Sequence, residues 1–131
     1  MVNRKFRWIP PVFWGLLITV LSIIPGGPGN LNFLGIPYFD KVGHFGMYAV
    51  WAFLIFNACA GNPGWSLRKA FWWTLILGAC VGVGLEFVQN MMALGRQFEI
   101  WDMVANSCGA IVGALIGNFF SKVRLRAVRK E

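Results

Sequence analysis

The chain has 131 residues, of which 57% are hydrophobic and only 13% charged, and its mean hydropathy is +0.60. A soluble domain of this size needs far more charge on its surface, so these proportions exclude one and point to a bilayer. The net charge of +7 does not indicate a nucleic-acid partner, because the basic residues gather at the chain ends and in one short loop.

The first segment opens on the basic "NRKFR" and becomes apolar, a pattern shared with signal peptides. Its run ends in "SIIPGGPGN" without a small-x-small cleavage pattern, which predicts a retained helix over about residues 8–24. Pro10 and Pro11 fit its first turn, where the missing N–H costs nothing. Residues 25–39 are rich in Gly and Pro yet keep six apolar side chains, as in an interfacial or re-entrant loop. Further helices are predicted over about 42–60, 70–94 and 101–120, and residues 121–131 read as a basic tail. Even a helix of about 17 residues rises about 25 Å, close to the hydrocarbon thickness. The prediction is an all-α, four-helix transmembrane bundle forming a single domain over 1–131.

Ten of the twelve basic residues lie in the N-terminal segment, the loop with Arg68 and Lys69, and the tail. Four spans place these regions on one side, and the positive-inside rule makes that side cytoplasmic, with both termini in the cytoplasm and the bundle in the inner membrane. Cys59, Cys80 and Cys108 lie in apolar runs without disulfide or zinc spacing, which reads as packing.

The remaining polar residues converge on the other end. Asp40, His44 and Tyr48 stand four apart on one face of the second helix, beside Lys41. Glu86 and Gln89 share a face of the third, Arg96 and Glu99 lie in the following loop, and Asp102 and Asn106 open the fourth. An acid inside an apolar helix is costly, roughly 2.5–3.5 kcal/mol at the bilayer centre on the most lenient scales, so Glu86 needs shelter. Arg96, Lys41 and His44 are its expected partners. Gly109, Gly113 and Gly117 continue the Asp102 stripe, and Gly78 and Gly82 form a matching patch. Such small residues let helices approach closely, here predicting a tight contact of helices three and four. Simpler roles also fit: Asp40 as an N-cap, Asp102 on the helix dipole, Gln89 and Asn106 as interhelical hydrogen bonds, His44 as structural and Tyr48 as an interfacial ring.

"DKVGHFGMY" and "GLEFVQNMMALGRQFEIWDMVANSCGAIVGALIG" together resemble the VanZ-like family. Its pattern is Asp-Lys-x-x-His-x-x-x-Tyr, then Glu-x-x-Gln, then Arg with Asp and Asn leading into Gly-x-x-x-Gly. It falls without departure on Asp40, Lys41, His44, Tyr48, Glu86, Gln89, Arg96, Asp102, Asn106, Gly109 and Gly113. The resemblance covers roughly residues 10–120. It implies a relation to an accessory protein giving low-level teicoplanin resistance, and thus lower glycopeptide susceptibility as an activity to test.

The polar end suits a binding site for an envelope lipid, a lipid-linked cell-wall precursor or a glycopeptide, with Lys41, Arg96 and His44 placed for a phosphate. An enzyme acting on a lipid-linked phosphate could use Asp40, His44, Glu86 and Asp102 as acid, base or hard-metal ligands. No HExxH, activated Ser or Cys arrangement or P-loop supports it, and no cofactor or metal is predicted. A proton path lacks ionisable residues in the basic half. A scaffold subunit needs only the packing stripes. The sequence sets no oligomeric state.

Overall fold

The computed structural model describes residues 4–24, 38–92 and 99–128. A 3₁₀ turn, Arg4–Trp8, leads into α1 (Ile9–Ile23), followed by α2 (Phe39–Ala60), α3 (Leu67–Met91) and α4 (Ile100–Val128). Among the described residues there is no strand. All four helices are long and apolar enough to cross a bilayer, counting the 3₁₀ turn's Phe6–Trp8 with α1. The chain is a multi-pass membrane protein.

The helices begin and end differently from the apolar runs, for local reasons. Two start three residues earlier than predicted, α2 at Phe39 and α3 at Leu67. Tyr38, not Asp40, is the N-cap of α2; its backbone is left-handed at φ 64° and no side chain caps the helix. For a non-glycine residue that conformation costs on the order of 1–3 kcal/mol. Ser66 caps α3 more conventionally, its hydroxyl accepting the Lys69 N–H at 3.1 Å. At the far end, α4 runs to Val128, well into the basic tail. Hydropathy marks the bilayer, whereas Lys, Arg, Leu and Ala in "SKVRLRAV" are compatible with a helix in water as well. The expected end of α3 at Leu94, the loop over 25–37, and Arg129, Lys130 and Glu131 lie outside the described residues.

Phe13, Leu16, Trp72, Phe87, Ile116 and Phe119 point outward, as lipid requires, while Ala52, Ala58, Ala70, Ala110 and Ala114 are buried. This inversion follows from the solvent: lipid is as apolar as leucine, so helices associate through close packing of small residues. The sequence predicts the glycine stripe of α4 against α3. The structure corrects this, since the stripe closes on α2, with which α4 packs most extensively. A Cβ on Gly109 would collide with the Phe45 carbonyl, and one on Gly113 with the Ala49 carbonyl. One on Gly117 would lie 2.7 Å from the Phe56 ring. Of the α3 patch, Gly78 meets α4 most tightly, where an added Cβ would stand 3.2 Å from that of Ala110, and a Cβ on Gly82 would stand 3.7 Å from that of Asn106.

Two reciprocal hydrogen bonds staple α1 to α2. Trp14 Nε1 donates to the Met47 carbonyl at 3.0 Å, and Trp51 Nε1 donates to the Pro11 carbonyl at 2.8 Å. Gly15 leaves room for the Trp51 indole, which would lie 3.1 Å from an added Cβ. Cys59 is buried in the core, but Cys80 and Cys108 are exposed on the helix surface, so the packing role fits only the first.

Candidate functional site

The close α2–α4 contact aligns two polar series across it. On α2 these are Asp40, Lys41, His44 and Tyr48; on α4 they are Asp102 and Asn106, one turn apart, preceded by Glu99. Glu86 joins from α3 on the same buried face as Gly78 and Gly82.

At the mouth, Lys41 gathers three carboxylates. Its Nζ lies 2.6 Å from Asp40 Oδ2 and 2.5 Å from Asp102 Oδ1, and also pairs with Glu99 Oε2. Among the described residues, three carboxylates against one ammonium leave two formal negative charges, so these residues make an acidic mouth. The Asp102 Oδ1 contact with Lys41 is an ion pair between a largely enclosed carboxylate and ammonium. Lys41 is largely enclosed, with 18% of its side chain exposed, whereas Glu99 is 51% exposed. Glu99 is thus the partner that a ligand can engage without unpacking the helices.

One turn deeper, His44 Nδ1 lies 3.1 Å from Asn106 Oδ1 and His44 Nε2 lies 3.7 Å from Asp102 Oδ2. A lone pair on Nε2 would face a carboxylate, so this arrangement favours a proton there. The neutral Nε2–H tautomer with the Asn106 amide turned to donate meets that demand. Deeper again, the Tyr48 ring lies over Gly82: a Cβ there would sit 3.6 Å from the hydroxyl and 3.7 Å from the Asn106 Cβ. The hydroxyl is fully buried without a hydrogen-bond partner among the described residues, and it lies within electrostatic reach of Glu86. Glu86 is itself 3% exposed. Gly82 thus lies against Tyr48, one turn before Glu86.

Lys41, His44, Tyr48, Asp102, Asn106 and Glu86 thus descend from the mouth into the bundle. Gln89 departs from them, since its Nε2 donates to the Ser22 carbonyl at 2.8 Å and ties α3 to the end of α1. Of the partners expected for Glu86, Lys41 is engaged by the acids of the mouth and His44 by α4. Arg96 lies outside the described residues.

A cavity of about 800 Å³ opens beside the mouth, lined by Tyr38, Asp40, Lys41, Glu99, Trp101, Val104 and Ala105. Tyr38 and Trp101 are largely exposed rings. The family pattern contains neither them nor Glu99, and the available signal was positional: each flanks a motif acid by one to three residues. Carboxylate oxygens of Asp40, Glu99 and Asp102 lie within 4.8 Å of one another, a donor set suited to a hard cation. The Lys41 ammonium already supplies counter-charge among them.

Residues 2–121 match the VanZ/LLP1 family model. A fission yeast protein described as "Uncharacterized protein C11E3.10" is 33% identical over 116 residues, covering 88% of this chain and 68% of its own. No solved structure matches.

Proposed function

Because the chain belongs to the VanZ/LLP1 family, we propose that it is a ligand-binding membrane protein whose acidic mouth receives the polar head of an envelope lipid or glycopeptide-like molecule. The mouth opens to the outside of the inner membrane, with both termini cytoplasmic, as the distribution of Lys and Arg favours. The observation that carries the reading is the cavity lined by Trp101 and Tyr38 together with Asp40, Lys41 and Glu99. Aromatic rings stack on sugar faces or attract an ammonium, and carboxylates accept hydrogen bonds from amines and hydroxyls.

This geometry changes the ligand chemistry expected from the sequence. A phosphate at Lys41 would have to compete with three carboxylates already paired to it and approach a mouth that is net negative among the described residues. A head group that presents an amine or sugar hydroxyls meets no such opposition. Recognition therefore runs through donors on the ligand, and reduced teicoplanin susceptibility becomes a downstream activity. The enzyme reading ranks second, supported by the carboxylate set and opposed by the ammonium within it.

The test is native mass spectrometry from phosphatidylcholine nanodiscs doped with phosphatidylethanolamine, alongside titration with teicoplanin. Glu99→Gln removes one half-exposed charge worth up to about 1 kcal/mol, so amine-dependent binding falls roughly fivefold. Trp101→Ala lowers binding of either ligand without unfolding the bundle, because Trp101 is 71% exposed. Unchanged binding of both ligands in the folded double variant would sink the proposal.

A further inference from the structure

The opposite end of the bundle holds a second site, independent of the acidic mouth. A cavity of about 430 Å³ lies where the start of the chain, the α2–α3 connection and the end of α4 meet. Arg7 and Arg124 approach it from separate elements, Asn57 and Ser121 add polar groups, and Leu67 and Leu125 add apolar wall. Arg7 is held in place: its Nη1 donates to the Gly61 carbonyl at 2.5 Å, and an added Cβ on Gly61 would strike the guanidinium. That bond uses one of five guanidinium N–H donors. It also sets the cation against the C-terminal end of α2, where helix carbonyls favour positive charge.

A guanidinium fixed by one donor, with a second facing the same cavity, suits an anion that accepts several hydrogen bonds. Among the described residues, no Asp or Glu lines the cavity to neutralise either arginine. Arg68, Lys69, Lys122 and Arg126 belong to this end of the bundle, and the charges there share one sign among the described residues. The leucine wall and the position at the ends of membrane-spanning helices match a phosphate that carries glycerol and acyl chains rather than one free in water. We propose that this cavity binds the phosphate of an anionic phospholipid head group, clasped by Arg7 and Arg124.

The experiment compares phosphatidylglycerol retention by native mass spectrometry from mixed phosphatidylglycerol–phosphatidylcholine nanodiscs, using wild type, Arg124→Ala and Lys122→Ala. Both variants remove one positive charge from an exposed position of α4, but only Arg124 lines this cavity; Lys122 lines a neighbouring cleft that shares Leu67. A charge-assisted hydrogen bond worth about 1.5 kcal/mol converts to roughly a tenfold loss for Arg124→Ala. Lys122→Ala changes retention less than about twofold. Arg7→Lys, which keeps the charge but loses the planar fork, also weakens retention. Competition by soluble glycerol phosphate at concentrations matching the lipid would overturn the lipid assignment in favour of a free phosphate. Equal losses for Arg124→Ala and Lys122→Ala would overturn the site itself, reducing it to diffuse surface charge.

Discussion

The two ends of this bundle handle charge in opposite ways. At the acidic end, Lys41 is enclosed by Asp40, Glu99 and Asp102, and the polar groups continue inward through His44 and Asn106 to Tyr48 and Glu86. At the basic end, Arg68, Lys69, Lys122, Arg124 and Arg126 share one sign, and no acid accompanies them among the described residues. Charges paired inside a bundle fix the positions of helices, and their loss is costly. Charges of one sign at a helix end interact with water and head groups, and they determine sidedness more than stability. The same residue types are therefore expected to do structural work at one end and topological work at the other.

The largest expected effect comes from separating the helices that bring the acidic end together. Gly113→Leu forces a side chain into the Ala49 carbonyl, which is backbone and cannot swing aside. The α2–α4 contact opens, with a loss at or above the usual ~3 kcal/mol ceiling for overpacking. Thermal melting in detergent should show a collapse of folded protein. Gly43→Ala, whose Cβ meets nothing within 4 Å, serves as the control and melts close to wild type. Next in size is Lys41→Met. It leaves three neighbouring carboxylates without their ammonium, costing about 2–3 kcal/mol after allowance for partial exposure. Adding Asp102→Asn should recover part of that loss by removing one repelling charge. Additive losses in the double variant would mean that Lys41 acts through packing and not through the acids.

The helices, their number and the polar end were legible in the sequence because hydropathy and four-residue spacing report them directly. Which pairs of helices meet was not. The stripe of Gly109, Gly113 and Gly117 says that something approaches α4 closely, but small residues carry no address, and the neighbour is α2. The same spacing rule placed Glu86 and Gln89 on one face. It could not reveal that Gln89 is far enough round to reach the Ser22 carbonyl of α1. Glu99 was placed at the polar end by its loop, but Tyr38 and Trp101 escaped for another reason: the cavity they line forms only when the starts of α2 and α4 are set side by side. Trp14 and Trp51 carry no spacing signal of their own in the sequence, and they bridge α1 and α2.

That bridge supplies a test of intermediate size. Trp51→Phe keeps an aromatic ring in the core but removes the hydrogen bond to the Pro11 carbonyl. A hydrogen bond between helices within the membrane is worth roughly 0.6 kcal/mol on average and up to about 1.7. A loss near 1 kcal/mol, given the smaller ring as well, should appear as a modest fall in melting temperature with the acidic mouth intact. Abolished binding at the mouth in a folded Trp51→Phe protein would instead couple α1 to the ligand site.

The smallest stability effect and the sharpest contrast belong to the basic end. Neutralising Arg68 and Lys122 to Gln should alter unfolding free energy by no more than about 0.5 kcal/mol, because both are exposed and neither has an ion-pair partner among the described residues. Lys69 is left in place, since its Nζ lies 4.6 Å above the Trp65 ring and its removal would mix packing with charge. What should change is sidedness. With fewer positive charges on the connection between α2 and α3 and at the end of α4, a cysteine placed at the surface-exposed tip of that connection becomes partly accessible to a membrane-impermeant thiol reagent added outside intact cells. The natural Cys80 and Cys108 are replaced by alanine in both proteins so that the added thiol alone reports. Labelling confined to lysed cells in wild type, and mixed labelling in the double variant at unchanged melting temperature, would separate topological from structural charge. A large fall in melting temperature would instead show that the basic end holds the helices together as the acidic end does.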